Sequence, residues 1–97
     1  MVRPYEALYI CYPDRSDEEI TATMEKYQKI AEDQGAEIVS VNRWDKRRLA
    51  YDIKDVGEGI YVLMTFKGEA NVDRELDRLF KIGDDVLRHI IVRLDEK

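Results

Sequence analysis

Arg43, Lys46, Arg47 and Arg48 stand against Asp45 alone: four cations and one carboxylate in six consecutive residues, a local charge of +3. The whole chain of 97 residues carries a net charge of −5. Concentrating positive charge costs self-repulsion, which a polyphosphate or an acidic partner relieves. A charged run is more often a solvated surface. Two features favour binding here: three of the cations are adjacent, and they lie on a strand-like segment of an otherwise acidic chain. Trp44 and Tyr51 could add stacking surfaces beside them, although Tyr51 would serve a core equally well. The acidic total argues against a free-standing nucleic-acid binder, whose domain is usually basic. Phosphate repels the whole molecule at long range, so contact with it calls for a basic companion.

Other chemistries find little support. His89 is the single histidine and sits among apolar residues, as structural histidines do. Cys11 is the single cysteine, so neither an intrachain disulfide nor a zinc pattern can form. It reads as a small buried hydrophobe in a reducing, cytoplasmic compartment. Ser16 is better explained as a helix cap than as a nucleophile, and a triad lacks partners. Gly57-Glu58-Gly59 lacks the lysine and following helix of a phosphate loop. Asp84-Asp85 reads as a turn. The acidic residues Glu18, Glu19, Glu25, Glu32 and Asp33 read as a solvated helix face. No cofactor, metal or small-molecule substrate is expected. Apolar runs such as residues 60–64 are far below the roughly 18 residues of a membrane span, and the N-terminus lacks the apolar core of a secretory signal.

The elements that must position the cations follow from periodicity. Residues 5–12 alternate as a strand ending at Pro13-Asp14. Ser16 and Glu19 form a capping box, and Ile20, Met24, Tyr27, Ile30 and Ala31 recur at helical spacing until Gly35. Residues 37–54 are strand-like, with Val39 and Val41 on the parity of Leu49, Tyr51 and Ile53. The polar centre of that strand predicts a bend or bulge. Residues 55–59 form a turn. Residues 60–67 are apolar on both parities, as a central strand is. Asn71 caps a second helix with Val72, Leu76, Leu79 and Phe80 as its stripe, an Asp77–Lys81 pair and Gly83 as C-cap. Residues 86–94 form the last strand. The order β-α-β-β-α-β predicts one α+β domain over residues 1–97. It is the ferredoxin-like arrangement, a four-stranded antiparallel sheet with two helices on one face, the first and third strands central.

The segment Lys46-Arg47-Arg48-Leu49-Ala50-Tyr51-Asp52-Ile53-Lys54 resembles the signature of the S-six family of bacterial small-subunit ribosomal proteins. Arg3-Pro4-Tyr5-Glu6, Gly59-Ile60-Tyr61, Glu75-Leu76-Asp77-Arg78, Val86-Leu87-Arg88 and Arg93-Leu94-Asp95 match in order and spacing. Two positions depart: Asp45 stands where that family has glycine, and Asp52 where proline or glutamate is common. The resemblance implies a structural, non-catalytic protein of the small ribosomal subunit, in the cytoplasm of a bacterium or in an organelle. It implies binding to the central domain (platform) of small-subunit ribosomal RNA, as a heterodimer with the basic S-eighteen ribosomal protein. A cationic companion answers the charge deficit. On this reading Arg3, Lys46, Arg47, Arg48, Arg88 and Arg93 meet RNA. Leu49, Ala50, Tyr51 and Ile53 meet the partner protein. No membrane is involved.

Two rivals share the fold. A single-strand RNA-binding module would expose Tyr5 or Tyr9 and Tyr61 on its first and third strands. An acylphosphatase-like hydrolase would need a glycine-bearing phosphate loop after the first strand, where Pro13-Asp14-Arg15 stands instead.

Overall fold

The computed structural model describes residues 1–94; the tail Asp95-Glu96-Lys97, with the last residue of the Arg93-Leu94-Asp95 motif, lies outside the described residues. The elements are β1 (Arg3–Cys11), α1 (Asp17–Asp33), β2 (Glu37–Ile53), β3 (Val56–Gly68), α2 (Ala70–Ile82) and β4 (Val86–Arg93). They build one antiparallel sheet in the order β2-β3-β1-β4. The first and third strands are central, as the two-sided apolar pattern of β3 requires.

Alternation sorts the sheet into two faces. Tyr5, Ala7, Tyr9 and Cys11 of β1 and Val62, Met64 and Phe66 of β3 pack under the helices, where Ile20, Tyr27, Val72 and Phe80 close the core. The larger aliphatic and Phe side chains each contribute about 1.5–3 kcal/mol on burial. Cys11 is fully buried, and burial pushes its thiol up to about 11. Leu8, Ile10, Tyr61 and Leu63 point to the opposite face, which no helix covers.

The helix ends explain their sequences. Ser16 Oγ accepts from the Glu19 N–H at 3.1 Å, and Glu19 Oε1 accepts from the Ser16 N–H at 2.8 Å, the reciprocal capping box. Gly35 has φ +98°, a left-handed conformation that favours glycine. Gly83 ends α2 in extended backbone, for a different reason: a Cβ there would lie 2.9 Å from Asp85 Oδ1 and 3.0 Å from the Tyr27 hydroxyl. Tyr27 donates to Asp85 at 2.7 Å and Lys26 at 2.8 Å. Burial alone would raise the Asp85 pKa, but these two donors outweigh it and hold the carboxyl below its ordinary range. His89 is a structural residue: it stacks on Phe80 and pairs with Asp77 at 2.8 Å.

Three expectations need correction. Asn71 is not the cap of α2. The helix begins two residues earlier, behind Glu69, and the Asn71 amide instead donates to the Gln34 carbonyl at 3.0 Å, tying α2 to the end of α1. The turn of the β2–β3 hairpin is Lys54-Asp55, both with positive φ, between the paired residues Ile53 and Val56. That is the two-residue turn whose twist matches the strands. Gly57 and Gly59 therefore lie inside β3, and a Cβ on Gly59 would run into the Ile10 side chain. Finally, Val41 does not share a face with Leu49. Register shifts after Ile38, Arg43 and Arg48 put extra residues into β2, and an extra residue reverses the alternation beyond it. Val41 packs on the helix side, whereas Leu49 packs with Ile10 and Leu87 on the open face.

Candidate nucleic-acid interface

The cations sit where β2 bulges, between Arg43 and Lys46. Asp45 occupies the bulge without a positive φ, so the usual glycine is not needed there for backbone reasons. Arg43 leaves the patch. It pairs with Val62, on the helix side, and its guanidinium donates to Asp17 at the start of α1 at 2.7 Å. The remaining three, Lys46, Arg47 and Arg48, are exposed and form no ion pair among the described residues. Pairing with Gly59 turns Arg47 to the open sheet face. Pairing with Ile60 and Glu58 turns Lys46 and Arg48 to the other side of the hairpin. The cations thus straddle an edge strand, an arrangement that can follow a phosphate backbone along both sides.

Aromatic groups adjoin them. Trp44 stacks on Tyr61, with centroids 5.9 Å apart and planes 17° off parallel. The Arg47 guanidinium lies 5.3 Å from the Trp44 ring centre. Tyr51 is no core residue; it is 62% exposed and its hydroxyl accepts from Arg88 of β4 at 2.7 Å.

Leu49, Ala50, Tyr51 and Ile53, with Ile10, Tyr61 and Arg88, line a groove of about 190 Å³. Within it Leu49 is buried against Ile10 and Leu87, while Ala50 and Tyr51 are exposed. Ile10 and Arg88 also line a neighbouring groove of about 400 Å³ with Leu8 and Ile90. Ile90 and Val92 are exposed on β4. The uncovered sheet face is therefore broadly apolar. Sequence reasoning missed Leu8, Ile10 and Ile90 as part of this surface; the signal available was the two-sided apolar pattern of β1.

The six cations assigned to RNA do not form one patch. Lys46, Arg47 and Arg48 lie at the hairpin end of the sheet, with Arg88 beside Tyr51. Arg3 pairs with Gly68 and Arg48 with Glu58, ten residues apart on β3, roughly 33 Å at about 3.3 Å per residue. Arg93 pairs with Tyr5 and shares the Arg3 end. The strand-one and strand-three platform of a single-strand RNA-binding module is also absent: Tyr5 and Tyr9 are buried beneath the helices, and Tyr61 is covered by Trp44.

The ribosomal protein S6 family profile matches residues 4–93. The small ribosomal subunit protein bS6 of Desulforudis audaxviator is 52% identical over 94 residues, 97% of this chain and 100% of that protein. Its counterpart in Desulforamulus reducens is 50% identical over 95 residues, 98% of this chain and 100% of that protein. The crystal structure of 30S ribosomal protein S6 from Thermotoga maritima superposes with a TM-score of 0.90 at 29% identity, covering 96% of this chain and 88% of that one.

Proposed function

Given that the chain belongs to the ribosomal protein S6 family and is a structural constituent of the small ribosomal subunit, not an enzyme, we propose that it binds the central domain of small-subunit ribosomal RNA as a heterodimer with the S-eighteen ribosomal protein. Its place is the ribosome, in the cytoplasm. One observation carries the RNA half of this reading: three adjacent exposed cations of the β2–β3 hairpin have no carboxylate partner among the described residues. Cations left open in a chain of net charge −5 remain available to neutralise phosphate. Lys46, Arg47, Arg48 and Arg88 belong to this contact. Arg3 and Arg93, at the far end of the sheet, can reach only a separate stretch of backbone.

The protein half rests on the neighbouring apolar grooves and on charge. Ala50, Tyr51 and Ile53, around the buried pair Leu49 and Ile10, adjoin exposed Ile90. A basic partner seated there buries apolar surface and offsets the acidic remainder, so that the pair can approach RNA. Filter binding tests both halves, using a central-domain ribosomal RNA fragment with this protein, with the S-eighteen protein and with both. Retention is expected only with both. Tight, salt-resistant binding by this protein alone contradicts the heterodimer, and no retention with either or both contradicts RNA binding.

A further inference from the structure

We propose that Trp44 is a stacking platform for an unpaired nucleobase of the bound RNA, an inference that rests on the RNA-binding reading above. Trp44 is the single tryptophan of the chain, and it is 36% exposed instead of entering the core. The bulge between Arg43 and Lys46 brings it onto the open face of the sheet, where the Tyr61 ring backs it at 5.9 Å. Tyr61 stands on a central strand, so the indole is held in one orientation before any ligand arrives, and little rotamer freedom remains to be lost on stacking.

The Arg47 guanidinium also lies over the indole, 5.3 Å from the ring centre. That is a cation–π separation, and at an exposed site such a contact is worth only about 0.5–1 kcal/mol. A planar group can take this place while Arg47 swings to the adjoining phosphate. Lys46 and Arg48, on the other side of the same strand, then lie near the flanking phosphates. An aromatic platform within a set of open cations is the combination that holds single-stranded nucleic acid. The base must be unpaired, because in an A-form duplex the base faces are stacked away and side chains meet only edges and backbone.

The test reads Trp44 emission in the full-length chain mixed with the S-eighteen protein, on adding a central-domain ribosomal RNA fragment or inorganic polyphosphate. RNA is expected to quench the emission and polyphosphate to leave it unchanged. Trp44→Ala should weaken RNA retention about tenfold without altering its salt dependence, and Trp44→Phe should restore most of the loss. Unchanged emission with RNA demonstrably retained on the filter overturns the stacking role while leaving RNA binding intact. So does equal quenching by polyphosphate, which would make the change purely electrostatic. Full quenching by the S-eighteen protein before RNA is added also overturns it, because a protein side chain then covers the indole. Absence of any RNA retention removes the RNA-binding reading itself, and the stacking role with it.

Discussion

The Arg88 guanidinium donates a hydrogen bond of 2.7 Å to the Tyr51 hydroxyl, although the two residues belong to the opposite edge strands β4 and β2. They meet because the hairpin bends across the open face of the sheet, with Leu49 set against Ile10 and Leu87 beneath the contact. Tyr51→Phe removes the bond and keeps the ring. Both partners are exposed, so the cost is expected at the lower end for a hydrogen bond, about 0.5 kcal/mol by urea unfolding. Hydrogen exchange should report more: amides of residues 50–56 are expected to exchange faster in the variant, while those of β1 stay unchanged. Equal exchange across the whole sheet would contradict a local clasp.

Replacing Arg47 and Arg48 together by alanine isolates the electrostatic part of RNA binding. Neither side chain has a carboxylate partner among the described residues, so urea stability should stay within about 0.5 kcal/mol of the parent. Two lost phosphate contacts should flatten the plot of log affinity against log salt by roughly 1.5, at about 0.7–0.9 per phosphate. Outright unfolding of the double variant would show these arginines to be structural.

The fold was largely legible because its signals are local. The Ser16–Glu19 box, the helical stripe from Ile20 to Ala31 and the two apolar parities of β3 each depend on neighbours in sequence, and each appears as expected. Non-local effects escaped. The register shift between Arg43 and Lys46 reverses the alternation that joined Val41 to Leu49, and nothing in the residues of β2 alone reports where the pairing slips. The hairpin turn was misplaced because Gly57 and Gly59 suggest a turn, whereas Lys54 and Asp55 adopt positive φ under the twist of the paired strands. The cationic run was visible, but its division was not: the loss of Arg43 to Asp17 depends on α1 starting beside β2. Arg3 and Arg93 gave no sequence sign of lying at the other end of the sheet.

Gly59 illustrates a requirement of packing and not of backbone angle. A Cβ at that position meets Ile10 Cγ2, a core methyl with buried neighbours. Gly59→Ala should therefore cost about 1–3 kcal/mol, the range for overpacking, measurable as a fall in the urea midpoint with an unchanged slope. Combining it with Ile10→Ala, which deletes the Cγ2 methyl that the new Cβ meets, should cost less than the sum of the two single variants. A double variant less stable than additivity predicts would refute steric relief.

The Tyr9 hydroxyl is buried with no hydrogen-bond partner among the described residues, in the ring cluster of Tyr27 and Phe80, and burial raises its pKa above the ordinary tyrosine value. Tyr9→Phe deletes an unsatisfied polar atom and keeps the ring, so the variant should be as stable as the parent or up to about 1 kcal/mol more stable. A clear loss of stability on urea unfolding would show that the hydroxyl has a partner in solution.

Asp85 gives the chain a specific acid sensitivity. Its carboxylate accepts from Tyr27 and Lys26, and its pKa lies below the ordinary value of about 3.9. A depressed native value means that the unfolded chain takes up the proton first on acidification. The stabilisation is therefore fully present above that ordinary value and is lost as pH falls through the native one. Asp85→Asn keeps an acceptor for Tyr27 but loses the charge facing Lys26. The Lys26 side chain is half exposed, so solvent screens the pair, and the expected cost near neutrality is only about 1 kcal/mol. Urea unfolding at a series of pH values should show a constant gap between parent and variant from neutrality down to about pH 5, then a shrinking gap below about pH 4. A gap that stays constant into strong acid would mean that the carboxylate charge does not stabilise the loop between α2 and β4.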